Sequence, residues 1–199
     1  MKGAFITFEG IDGSGKTTII NIISKKLENA IVTAEPTNGW LGRAVEKAIA
    51  EGMDAITISL LFMADRREHV KKIKKWLEDG KIVLCDRYSD STYAYQIEEL
   101  KDIIKNPKKW IDAVHEPFYL KPDLTILLVL PVEEAMKRIG NRKRIIYERK
   151  DFLEKVQKNY MEMAKKEKRF IVIDAEKSKE EVARECMEAI SKFLSLRRA

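Results

Sequence analysis

The run GIDGSGKTT at residues 10–18 completes the spacing G-x-x-x-x-G-K-[ST] with Gly10, Gly15, Lys16 and Thr17, directly after the β-rich run AFITFE. Those residue types in that order suit one task, the holding of a nucleoside triphosphate by its phosphates. Glycines at 10, 13 and 15 let successive backbone N–H groups turn towards phosphate oxygens, with Ser14 and Thr18 completing the loop. A helix opening at Lys16 adds the positive end of its dipole. The Lys16 ammonium is a point charge for the β- and γ-phosphates, and the Thr17 hydroxyl suits a Mg²⁺ ion that keeps most of its waters. In VLCDR, Asp86 ends an apolar strand, where a carboxylate reaches the metal's shell.

A bound triphosphate leaves open what receives its terminal phosphate. A regulatory GTPase reads guanine with Asn-Lys-x-Asp after a later strand, and here the fourth strand candidate is followed by PVEEAMKR. Helicase-like and transport ATPases are generally longer than 199 residues. A small-molecule kinase needs an acceptor pocket, positive charge between two anions, and a cover that excludes water. In DRYSDSTYAYQ, Arg87 follows a strand end and its planar fork suits a phosphate. Thr92, Tyr95 and Gln96 share a helix face that can read a base and a sugar. The same residues equally fit a helix start capped by Ser89 or Asp90, with Tyr95 as packing. Phe62 and Arg66, four apart in LLFMADRREH, suit stacking on a base and bonding its edge. Periodicity alone favours a plainer reading, with Phe62 in a core stripe and Arg66 on a solvated face. RIGNRKRIIYERKD, residues 138–151, carries Arg138, Arg142, Arg144 and Arg149 and reads as a lid over phosphates or as an exposed basic loop.

Behind these residues stand five apolar, β-rich runs at 4–9, 30–34, 81–86, 123–130 and 169–174. Helical patterns lie between them at 16–28, 40–51, 54–79, from 89, near 100–117, at 132–139, 151–167 and 178–197. Alternation of this kind predicts an α/β fold of three layers, a parallel sheet of about five strands with helices on both faces. Ligands then gather at the carboxyl ends of the strands, where the motifs fall. The chain reads as one domain, 1–199. Its net charge of +6 suits anions such as nucleotides, but mixed runs such as KKIKKWLEDGK favour solvated, ion-paired helix faces. An ATP-gated nucleic-acid-binding module is the rival reading from another class; the arginines cluster at phosphate-facing loops rather than along one stripe, which argues against it. No apolar run approaches the roughly 20 residues of a membrane span. No leader pattern opens the sequence, and Cys85 and Cys186 sit in no metal-type pair. A reducing cytoplasm is expected, with Cys85 in the core.

Taken together, FEGIDGSGKTT, EPT after the second strand, FMADRR, DRYSDSTYAYQ, the arginine-rich segment and VIDA before the last helix resemble the thymidylate kinase family over nearly the whole chain. The resemblance implies a P-loop fold and transfer of the γ-phosphoryl of ATP to dTMP, with Mg²⁺; a related nucleoside monophosphate kinase with another base preference is the alternative. It implies Asp12 by the acceptor sugar or the metal, Phe62 stacked on thymine, and Arg66 on the base edge. Arg87 would hold the acceptor phosphate with Arg43 and Glu35 nearby. Thr92 and Gln96 would read the base, and Tyr95 would crowd a ribose 2′-OH. Asp174 and Ala175 would frame adenine. A homodimer is also implied. Two departures stand out. EPTNGW lacks the paired glycines common after Glu-Pro, which shifts the register of Arg43. Gly13 stands where some members carry arginine, which leaves catalytic charge to Arg142 and Arg144 ahead of Arg149.

Overall fold

The computed structural model describes residues 3–140 and 149–197. Its strands are β1 (Ala4–Glu9), β2 (Ala30–Ala34), β3 (Ile82–Asp86), β4 (Leu124–Val129) and β5 (Phe170–Asp174). They form one five-stranded sheet in the order β2-β3-β1-β4-β5, every pairing parallel. The order reverses direction beside β1, so the loops after β1 and β3 open a crevice at the sheet's carboxyl edge. The helices are α1 (Lys16–Ser24), α2 (Trp40–Ala50), α3 (Ala55–Glu78), α4 (Ser89–Leu100), α5 (Pro107–His115), α6 (Val132–Ile139), α7 (Lys150–Lys166) and α8 (Lys179–Leu196).

The period-two geometry of strands divides the core between two faces. Phe5, Val83 and Cys85 pack with Val70 and Ile73 of α3. Their neighbours Ile6, Phe8 and Leu84 join Ile19, Ile20 and Ile23 of α1 and Cys186 and Ile190 of α8. All six residues of β1 are buried, as expected of a central strand covered on both sides. Cys85 is fully buried in the core, as its apolar run implied. No helix among the described residues is long and apolar enough to cross a membrane.

Most element bounds fall within a residue or two of the sequence expectation, and the larger differences have local causes. The first helix stops at Ser24 rather than 28, and Asn29 then takes a left-handed turn (φ 59°) into β2. The helix expected near 100–117 begins only at Pro107, which tolerates the first helical position because no N–H is needed there. Asn106 caps it by accepting from Lys109 N at 3.0 Å. Neither Ser89 nor Asp90 caps α4. Asp90 turns inward instead and receives two bonds of 2.7 Å from Arg169.

Candidate functional site

Two cavities meet at the carboxyl edge of the sheet. One, about 640 Å³, is lined by Asp12, Gly13, Gly15, Lys16, Thr17 and Thr18 of the glycine-rich loop, with Asp86, Arg87 and Arg138 opposite. The other, about 170 Å³, is lined by Phe62, Arg66, Tyr88, Thr92, Tyr95 and Gln96. Asp12, Glu35, Pro36 and Arg87 line both.

The loop owes its course to its glycines. Gly13 lies at φ 80°, and a Cβ there would come within 2.3 Å of the Ala135 carbonyl oxygen in α6. Helix α6 therefore excludes any side chain at position 13. Lys16 Nζ donates to Gly10 O at 3.1 Å and Ile11 O at 3.0 Å. Burial, aided by the Arg87 charge, lowers its pKa to about 8 against the pull of Asp86, Asp12 and Glu9. The Thr17 hydroxyl donates to Asp86 Oδ2. A hydroxyl and a carboxylate side by side at a strand end form a hard-oxygen pair that fits Mg²⁺, with the remaining ligands left to water and phosphate.

Arg87 stands where the cavities join, in a left-handed backbone conformation (φ 63°) closed by its N–H on Phe8 O at 2.9 Å. Its Nη2 donates to Asp12 Oδ1 at 2.7 Å and to Tyr95 Oη at 3.3 Å, and its Nη1 donates to Ser91 Oγ at 3.2 Å. The guanidinium lies over the Tyr95 ring, 5.1 Å from its centroid. Burial alone would raise the Asp12 carboxyl, but Arg87 and Lys16 hold its pKa below the usual range.

Arg66 is not on a solvated face, as its position in the α3 pattern suggested; it is 1% exposed. Its Nε and Nη2 reach Glu35 Oε2 at 2.8 and 2.7 Å, while Glu35 Oε1 is 2.9 Å from His69 Nδ1. Its Nη1 lies 2.8 Å from Thr92 Oγ1 and 2.9 Å from His115 Nε2. The guanidinium also lies 5.2 Å from the centroid of the Tyr88 ring. Phe62 is half-buried on the cavity wall and belongs to none of the core clusters, contrary to its reading as a core stripe residue. Thr92, Tyr95 and Gln96 do share one face, and all three are buried there.

Arg43 is not among the residues lining either cavity, and its Nη1 donates to Asn38 O at 2.7 Å. The loop after Glu35 is held by Asp65, whose carboxylate accepts from Thr37 N at 2.7 Å and Thr37 Oγ1 at 2.6 Å. Asp174, the last residue of β5, and Ala175 after it are not among the residues lining either cavity, but Arg138, which lines the larger one, donates to Ala175 O at 3.0 Å. Arg142 and Arg144 lie outside the described residues.

Glu9, the last residue of β1, is a site residue that belongs to none of the sequence motifs' phosphate or base contacts. Its Oε1 accepts from Tyr88 N at 2.9 Å, and its Oε2 accepts from Ser91 Oγ at 2.7 Å and Tyr160 Oη at 2.8 Å. It thereby ties the end of β1 to the start of α4. Burial pushes its pKa up to about 7, reinforced by Asp90 and opposed by Ser91, Arg87 and Tyr160. A charged residue closing an otherwise apolar strand was the available signal. Tyr160 and His115 carried none, since 151 and 49 positions separate them from Glu9 and Arg66.

Comparison with known proteins gives consistent matches. A family model described as thymidylate kinase matches residues 8–186. A probable thymidylate kinase of Methanococcoides burtonii is 41% identical over 98% of this chain and 99% of its own. One from Methanoculleus marisnigri is 45% identical over 90% of each chain. A solved thymidylate kinase from Candida albicans, described as broad in substrate specificity, superposes with a TM-score of 0.83 at 28% identity, over 96% of this chain and 92% of that one.

Proposed function

This chain belongs to the thymidylate kinase family, an ATP-dependent dTMP kinase serving dTTP synthesis, and from that premise we propose how its residues divide the reaction. The observation that carries the division is the junction of the two cavities at Asp12 and Arg87. A donor in the larger and an acceptor in the smaller would meet there phosphate to phosphate.

Gly10–Thr18 cradles the ATP phosphates, with Lys16 on the β- and γ-oxygens and Asp174 and Ala175 beside adenine. Thr17 and Asp86 would hold Mg²⁺, which when bound neutralises charge on the phosphates. Phe62 stacks on the thymine, while Arg66, Thr92 and Gln96 meet its edge. Glu35 acts through Arg66, because both of its oxygens are already engaged. Tyr95 crowds the 2′ position of the sugar, and Asp12 faces the sugar.

Arg87 takes the acceptor phosphate. Its present hydrogen bonds to Ser91, Tyr95 and Asp12 hold the guanidinium where the two cavities join. The acceptor oxygen is already anionic, so no side-chain nucleophile is required. The protein's part is alignment and charge neutralisation in a space closed to water. Arg142 and Arg144, in a lid spanning 138–151, supply further positive charge during transfer. The rest of the reading is one kinase domain, a homodimer formed through the outer face of α3, where Leu60 is exposed, and a reducing cytoplasm suited to two buried free cysteines.

An acceptor panel tests the assignment. ADP should form only when dTMP is added, with UMP and CMP much poorer substrates. ATP consumption indifferent to the nucleoside monophosphate would overturn it.

A further inference from the structure

We propose that His115, at the end of α5, is a positioning residue for base selection: its Nε2 takes up one N–H of Arg66 and leaves the guanidinium a single donor for the acceptor's base. The proposal rests on the dTMP kinase reading given above.

A guanidinium has donors only, so the 2.9 Å contact between Arg66 Nη1 and His115 Nε2 runs from arginine to imidazole. The imidazole proton must then sit on Nδ1. Burial, with the Arg66 charge second, lowers the His115 pKa to about 3, so the ring remains a neutral acceptor at any ordinary working pH. The other Arg66 donors are equally committed. Nε donates to Glu35 Oε2, one Nη2 N–H is taken up by the ion pair with the same oxygen at 2.7 Å, and the second Nη1 N–H goes to Thr92 Oγ1. One N–H, on Nη2, remains in a side chain that lines the smaller cavity.

A lone fixed donor discriminates sharply. It suits a pyrimidine that offers a carbonyl at that edge, whereas an exocyclic amino group would set donor against donor. Without an acceptor at position 115, one Nη1 N–H would lose its partner, and the guanidinium, held on that side by Thr92 alone, could tilt about its Glu35 pair.

Packing alone gives no account of a histidine here. His115 is 1% exposed, and its Nδ1 has no partner among the described residues. Its ring sits edge-on to Tyr93 and Phe118, at 5.9 and 5.6 Å between centroids. An aromatic hydrocarbon would fill that space and strand no buried donor at Nδ1. The polar ring is explained by what its other nitrogen holds.

The test compares His115→Phe, His115→Gln and His115→Asn with the wild type, measuring kcat and KM for dTMP, dCMP and ATP. Expected for His115→Phe is a rise in KM for dTMP of about tenfold, the scale of one buried hydrogen bond, and a smaller preference for dTMP over dCMP. KM for ATP should not change. His115→Gln, whose amide oxygen can reach Arg66, should restore both values. His115→Asn, one methylene shorter, should resemble the Phe variant. A folded Phe variant with wild-type selectivity, or an equal loss for both substrates, would overturn the proposal. If the Phe variant fails to fold, the amide pair decides alone, and equal behaviour of Gln and Asn would overturn it. A wild type lacking dTMP-dependent turnover would instead defeat the functional reading itself.

Discussion

Replacing Glu9 by glutamine should remove a stability change that the wild type shows across neutral pH. Glu9 is buried at the end of β1, facing Asp90 and Arg87 and bonded by Tyr88 N, Ser91 and Tyr160. Its pKa rises from the ordinary 4.5 to about 7 in the native state. Between those values the folded chain holds a proton that the unfolded chain has released. Stability from this group is therefore full below pH 4.5 and is lost as pH climbs towards 7. A shift of this size corresponds to about 3 kcal/mol. Glutamine keeps the shape and an acceptor oxygen but has no such proton to lose. The assay is urea unfolding of wild type and Glu9→Gln at several pH values from about 5 to 8. His115, buried neutral, gives a slope of opposite sign as pH falls below its ordinary 6.5, but both proteins share it and it cancels in the difference. The wild-type stability minus that of the variant should fall by about 3 kcal/mol over the window and level off above it. A difference constant with pH would refute the reasoning. A difference that rises with pH would show that Arg87 and the hydroxyls outweigh burial.

Two further outcomes follow from the junction of the cavities. Lys16, with its pKa lowered to about 8, should lose its charge at the alkaline end. The kcat/KM for ATP should fall above about pH 8, while kcat, measured with phosphates bound, should hold to higher pH; parallel profiles would contradict this. Arg87→Ala should raise KM for dTMP far more than KM for ATP, by about 100-fold against less than threefold, given that charged hydrogen bonds are lost. Equal losses in steady-state kinetics would show that Arg87 serves both nucleotides alike.

Local chemistry was legible in the sequence wherever residues act on near neighbours. The loop at 10–18, the alternation of strands and helices, and the shared face of Thr92, Tyr95 and Gln96 all depend on short-range geometry, which spacing encodes. Chain order also marked Asp86 and Arg87 as site residues, because a parallel sheet brings every strand end to one edge. Periodicity misjudged Arg66 and Phe62. A helix pattern distinguishes an inward face from an outward one, but it does not register that Thr92 of α4 and His115 of α5 meet Arg66 of α3. The partners of Arg66 come from the loop after β2, α4 and α5, and those of Glu9 from α4 and α7. Such contacts are fixed by packing between elements distant in the chain. Burial, and the pKa changes that follow from it, exist only once that packing has removed the groups from water. Sequence alone thus determined the scaffold and the phosphate loop, and tertiary structure decided which buried charges are paired and how many donors Arg66 has left to offer.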